Sequence, residues 1–169
     1  MTSMNGPAVT VPAAAPPAPR STAPTGCSAM LLRRLTRRVS RHYDGYLSPC
    51  GLKTTQYSLL SVVASQGPLS PGEIARILSL DASSLTRNLR PLLAAGWVTQ
   101  DAGDDARRRR VSITPAGLLK RQEARALWKQ AQREFSRRIG PGRVDALHRL
   151  IDTCQSLLDE FVEAPGETA

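Results

Sequence analysis

SPGEIARILSLDASSLTRNLRPLLAAGWVTQDAGDDARRRRVSIT, residues 70–114, decides how the chain folds. Ser70 is a good helix N-cap, Pro71 suits a first helical position, and Glu73 stands where a capping box wants a carboxylate. Leu69 and Ile74 occupy the two positions of a hydrophobic staple, and Ile74, Ile77 and Leu78 form the stripe to be buried. Ser79 and Leu80 make a turn, and Asp81 caps a second helix expected over 82–95. Leu85, Leu89, Leu92 and Leu93 recur at i, i+4, i+7 and i+8, so they share one face. Pro91 removes one backbone bond near its end, and Gly96 closes it. Residues 97–100 and 109–113 read as antiparallel strands, with Val111 and Ile113 alternating against Ser112.

The second helix turns a different chemistry outward. At 100° per residue Arg87 lies almost opposite the leucines, Ser83, Ser84 and Arg90 stand to either side, and Thr86 and Asn88 flank them. Arginine pairs two-pronged with guanine, and Ser or Thr meets bases or phosphates. On an isolated helix this would be an ordinary solvated face; between a capped helix and a strand pair it is a candidate reader of double-stranded DNA. The loop joining the strands is charged, and Arg107, Arg108, Arg109 and Arg110 follow one another at its tip and return. Such a finger can follow a phosphate backbone or enter a minor groove, where arginine is favoured. Asp104 and Asp105 oppose phosphate binding unless one of them holds an arginine in place. Helix, turn, helix, strand, charged loop, strand is the order of a winged helix-turn-helix. The expected class is mainly α with a small β-hairpin wing.

The 169 residues suffice for one domain with a core, and the net charge of +9 suits a polyanionic partner. Only Lys53, Lys120 and Lys129 interrupt the arginines among the 23 basic residues. No apolar run is long enough to span a bilayer, and no signal-peptide pattern opens the chain, so the expectation is a cytoplasmic protein without membrane association. Cys27, Cys50 and Cys154 form no metal-ligand spacing, and His42 and His148 belong to separate helical patterns. No metal and no cofactor are expected. No nucleophile with a placed base, glycine-rich phosphate loop or catalytic carboxylate pair points to an enzyme.

Residues 1–26 are rich in Pro, Ala, Ser and Thr, hold six of the 13 prolines, and read as a disordered tail. A helix is expected over 28–47, with Leu31, Leu35, Val39, Tyr43 and Tyr46 on one side and Arg33, Arg34, Arg37, Arg38 and Arg41 on much of the remainder. Thr54 or Thr55 caps a short helix through residue 64, with Tyr57 and Leu60 inward, and Gly67-Pro68 closes it. Past the hairpin, Thr114-Pro115 starts a helix to about residue 138, carrying Leu127, Trp128, Ala131 and Phe135 on one side. A last helix over 143–162 places Val144, Leu147, Ile151, Cys154, Leu158 and Phe161 three and four apart, an a/d seam widened by Leu150 and Leu157. One helix with so broad a seam suits a homodimer; folding back over its own domain is the monomeric alternative. The organisation is thus a helical dimerisation region from 27–47 and 115–162, a DNA-binding region over 48–114, and a frayed end over 163–169.

In LDASSLTRNL (80–89), LAAGWV (93–98), DAR (105–107) and VSITPAG (111–117), the chain resembles the MarR family of bacterial transcription regulators, over roughly residues 28–162. The resemblance implies homodimers joined by first and last helices, binding near-palindromic operators and usually repressing until a small molecule or an oxidant acts. It implies a recognition helix in the major groove and a wing arginine in the minor groove. Arg107 matches that arginine, and Asp105 matches the residue that braces it. DNA contacts are therefore expected from Ser83, Ser84, Thr86, Arg87, Asn88, Arg90, Arg107, Arg108 and Arg109, with Asp105 as wing support. Organic-peroxide sensors of the OhrR type carry a reactive cysteine near the first helix, assisted by tyrosines. Cys27 and Tyr43 are the candidates here, although alignment on Tyr43 brings Ala29 to the reactive position and Thr54 where a second tyrosine is expected. Cys50 is a candidate to resolve a disulfide with Cys27. A rival of another class is a winged helix used for protein contact alone, which predicts weak, sequence-insensitive DNA binding.

Overall fold

A computed structural model of the chain describes residues 26–101 and 109–163, with side chains described through residue 159. Helix α1 spans Ser28–Leu47 and runs into a 3-10 turn, Ser48–Cys50. Then come α2 (Thr54–Gln66), α3 (Pro71–Ile77), α4 (Ala82–Ala94), β1 (Val98–Gln100), β2 (Val111–Ile113), α5 (Pro115–Ile139) and α6 (Pro141–Glu163).

The start of α3 is the capping box expected from its sequence. The Glu73 amide donates to Ser70 Oγ at 3.2 Å, and the Ser70 amide donates to the Glu73 carboxylate at 2.7 Å. Ile74 is fully buried beside Leu69. The chain reverses at Ser79, whose φ of 49° is left-handed, and Asp81 then caps α4 by accepting from the Ser84 amide at 2.8 Å. Leu85, Leu89 and Leu92 are buried and Leu93 is half-buried, as their spacing required. The helix continues through Pro91, leaving the Arg87 carbonyl without its usual i+4 donor, and Ala95 forms the C-cap.

Both strands are shorter than expected, three residues each, paired Val98↔Ile113, Thr99↔Ser112 and Gln100↔Val111. Trp97 is drawn instead into the end of α4, its amide donating to the Leu92 carbonyl at 3.0 Å. A contact distant in sequence adds an isolated bridge to β2: Leu69 and Val111 exchange amide–carbonyl bonds of 3.1 and 2.8 Å.

The start of α2 corrects the sequence reading. Neither Thr54 nor Thr55 is the cap; Lys53 holds that position. Thr54 instead donates its amide and its hydroxyl to the Asp44 carboxylate of α1, at 2.7 and 2.6 Å. One of the free donors at the start of α2, the Thr54 amide, is thus satisfied from another helix. Tyr57 of α2 stacks on Trp128 of α5 with centroids 6.0 Å apart.

Helix α5 is keyed to the base of the hairpin. Thr114 Oγ1 accepts from the Gly117 amide at 3.0 Å and donates to the Gly96 carbonyl at 2.7 Å. A Cβ on Gly117 would sit 1.9 Å from the Trp97 carbonyl oxygen, so only glycine permits this approach. Further along, Ala124 and Ala131 are fully buried and let α1 and α2 lie close. Tyr43 donates its hydroxyl to Gln132, and His42 meets the Ala131 carbonyl at 2.9 Å.

Among the described residues, α1 and α6 leave apolar side chains exposed. Leu150, Ile151, Leu157 and Leu158 of α6 are 61%, 41%, 51% and 63% exposed, and among the described side chains of that helix only Val144 is buried. Met30, Leu31, Leu32 and Leu35 of α1 are exposed as well. Helix α6 does not fold back to cover its seam. Among the described residues no helix is long and apolar enough to cross a membrane.

Candidate nucleic-acid interface

Burying Leu85, Leu89 and Leu92 against the core forces the opposite side of α4 into solvent. Ser83, Thr86, Arg87 and Arg90 are exposed there, while Ser84 and Asn88 are half-buried. These six residues divide by what their donors already do. Ser83 and Ser84 donate their hydroxyls to Asp81 at 2.6 and 2.7 Å, Thr86 to the Ala82 carbonyl at 2.8 Å, and Asn88 its amide to the Ser84 carbonyl at 2.8 Å. Those bonds from Ser83 and Ser84, together with the Ser84 amide, hold the Asp81 carboxyl well below the usual range. Ser83, Ser84 and Thr86 thus offer a ligand acceptor lone pairs unless their present bonds break, while Asn88 keeps the second N–H of its amide. Arg87 and Arg90 form no ion pair among the described residues. They are the charged donors that α4 presents.

Beside this face lies a groove between α4 and the hairpin, floored by Leu85, Leu89 and Leu93 and edged by Arg90, Gln100 and Arg109. Arg109 therefore joins the arginine of α4 on one surface. Arg110 behaves differently from its neighbour. It turns back onto α3 and pairs with Glu73 at 2.6 Å, on the same carboxylate that closes the capping box. The Ser70 amide and hydroxyl, and then the Arg110 charge, keep the Glu73 carboxyl below its ordinary pKa. The root of the hairpin is thereby tied to α3 by a backbone rung and an ion pair. Thirty-seven residues separate Arg110 from Glu73, so no local pattern announces this contact. Asp105, Arg107 and Arg108 lie outside the described residues.

The candidate redox pair is not brought together within one protomer. Cys27 is the exposed N-cap of α1 and Tyr43 lies buried 16 residues further along it, about 24 Å away at the rise of an α-helix. Burial raises the Tyr43 pKa. The structure does not allow the candidate Cys27–Cys50 disulfide within one chain. Cys50 is buried past the far end of α1, donating its thiol to the Leu47 carbonyl, whereas a disulfide needs Cα atoms within about 7 Å. Cys154 is exposed on α6.

A model described as MarR family matches residues 51–108. The multiple antibiotic resistance protein MarR of Salmonella typhimurium is 33% identical over 88 residues, 52% of this chain and 61% of that protein. The chain thus aligns with about three-fifths of the length of that relative. The uncharacterized HTH-type transcriptional regulator YwoH of Bacillus subtilis is 29% identical over 92 residues, 54% of this chain and 67% of YwoH. Among solved structures, the transcriptional regulator MosR of M. tuberculosis in complex with DNA is 30% identical with a TM-score of 0.64, covering 78% of this chain and 98% of that one. A MarR mutant from E. coli complexed with operator DNA, 24% identical with a TM-score of 0.66, covers 75% of this chain and 91% of its own and shares the fold.

Proposed function

The chain belongs to the MarR family of winged-helix transcriptional regulators, and on that premise we propose that it is a homodimeric, sequence-specific DNA-binding repressor released from its operator by a small-molecule effector. The observation that carries the DNA reading is the outer face of α4, where Arg87 and Arg90 are exposed, without an ion pair among the described residues, next to Arg109 of the hairpin. Two such faces set about 34 Å apart meet successive major grooves of a near-palindromic site. The DNA complex of MosR supports the same use of this fold.

An effector has a place to act. A cavity of about 290 Å³ lies between α1, α5 and α6, with apolar walls from all three helices and Thr36, Ser40, Tyr43 and His148 as polar groups. It borders the exposed leucines that a second copy would cover, so its occupancy bears on how two copies are set. A coupling of about 1–3 kcal/mol changes operator affinity several-fold to a hundred-fold.

Sequencing DNA fragments selected by the purified protein tests the reading, and a shared inverted repeat is expected. Arg87→Ala should weaken binding to it by about 1–3 kcal/mol and relax specificity at one base position, measured by anisotropy against single-base variants. Equal competition by scrambled duplexes, with no effect of Arg87→Ala, would leave the protein-contact module as the better account.

A further inference from the structure

Helix α1 carries a second concentration of positive charge that the interface on α4 does not use. Arg33, Arg34, Arg37, Arg38 and Arg41 fall within nine consecutive residues, and all five are exposed. Among the described residues none of them forms an ion pair. The one acid in the helix, Asp44, is engaged by Thr54. Arg137 and Arg138 of α5 show the contrast, since both pair with Glu134.

The placement on the helix matters as much as the count. Arg33, Arg37 and Arg41 each come two residues after Leu31, Leu35 and Val39, which puts them about 160° around the helix from that apolar row. A partner covering the leucines leaves this arginine row open. Arg34 and Arg38 instead border the leucines, beside Leu31 and Leu35. Like charges at i and i+4 repel, as in Arg33–Arg37, Arg34–Arg38 and Arg37–Arg41, and no carboxylate relieves them. A helix face needed only for solubility is served by alternating signs, which impose no such repulsion.

We propose that the arginine face of α1 is a second polyanion-binding surface, which takes the phosphate backbone of a duplex segment other than the one under α4. Guanidinium groups bind phosphate in a two-pronged fashion. The Arg33, Arg37 and Arg41 row advances about 6 Å per step, so it offers evenly spaced contacts along a backbone. No apolar or aromatic side chain stands within that row to anchor a peptide, as a protein interface would need. Helix α1 packs on α5 and α2, so this surface is separate from the α4 interface, and a dimer would carry two copies of it.

The test uses the full chain and a labelled random-sequence duplex, with binding read by anisotropy across a salt series. The first protein carries Arg87→Ala and Arg90→Ala; the second adds Arg33→Gln, Arg37→Gln and Arg41→Gln. The first should retain salt-dependent duplex binding. Loss of three phosphate contacts in the second should flatten the log–log salt slope by about 2.7 and weaken binding at low salt at least ten-fold. Thermal unfolding and sedimentation of the triple glutamine protein should match the parent, because among the described residues these side chains form no ion pair and their one bond, from Arg41 Nε to the Arg37 carbonyl at 3.4 Å, stays within the exposed face of α1. Equal affinity and slope in the two proteins overturn the proposal and leave a solvated face. Loss of poly-glutamate binding with duplex binding unchanged overturns it in favour of an acidic protein partner. Weaker self-association of the glutamine protein overturns it in favour of carboxylates from a second copy. Failure of Arg87→Ala alone to affect a selected operator would count against the α4 interface without touching α1.

Discussion

The region from α2 to β2 and the two end helices carry similar apolar spacing, yet one region closes on itself and the other does not. In the first, Leu59, Leu60, Ile74 and Leu92 are fully buried, and the starts of α3 and α4 are capped from within. In the second, leucines at equally regular intervals in α1 and α6 remain exposed. The difference teaches that periodicity specifies a face to be buried but not the surface that buries it. A lobe of five short elements can fold its faces together. A 23-residue α6, attached only through its first turns, cannot turn a long seam onto a domain already filled by α1 and α5.

The largest effect that would sharpen this contrast lies in the lobe. Leu92→Ala should cost about 2–5 kcal/mol in urea unfolding, since the side chain is fully enclosed. A loss under 1 kcal/mol would mean the lobe is looser than its burial indicates. Leu150→Ser with Leu157→Ser should leave the lobe's stability unchanged and raise the dissociation constant of the proposed dimer more than a hundred-fold by sedimentation. Each leucine forfeits about 1.5–3 kcal/mol of burial if a second copy covers it. Unchanged self-association would break the comparison outright.

Gly117→Ala probes the junction between the regions. Its methyl would meet the Trp97 carbonyl oxygen, and relief should cost about 1–3 kcal/mol, with the hairpin's amides exchanging faster than those of α2. The smallest effect is set by pH at the end of α5. Hydrogen bonds from Arg137 and Arg138 lower the Glu134 pKa from 4.5 to about 2. A folded pKa below the unfolded one means that the stabilisation is present above about pH 4.5 and lost as pH falls toward 2. Glu134→Gln should therefore lower the melting temperature slightly at neutral pH, and the deficit should close by pH 2.

Much of the lobe was legible because its signals are local. Ser70-Pro71-Gly72-Glu73, Asp81 three residues before the Ser84 amide, and Thr114-Pro115 each state a helix start within four residues, and each formed. The outer face of α4 followed from the leucines opposite it. What the residues of that face offer was less legible. Whether Ser83, Ser84, Thr86 and Asn88 keep their donors free depends on competing acceptors one turn away, all compatible with the same helical pattern.

The sequence by itself determined where the helices begin, which sides of them are apolar, and that arginine dominates the exposed sides. Only the tertiary structure decided that Asp44 serves the start of α2, that Arg110 leaves the wing to join Glu73, and that Gly117 lies against the Trp97 carbonyl. Helix caps and periodicity arise from neighbours a few residues apart, so they are written in order along the chain. An ion pair across 37 residues or a backbone contact across 20 depends on how finished elements pack, and no short stretch of residues carries that information.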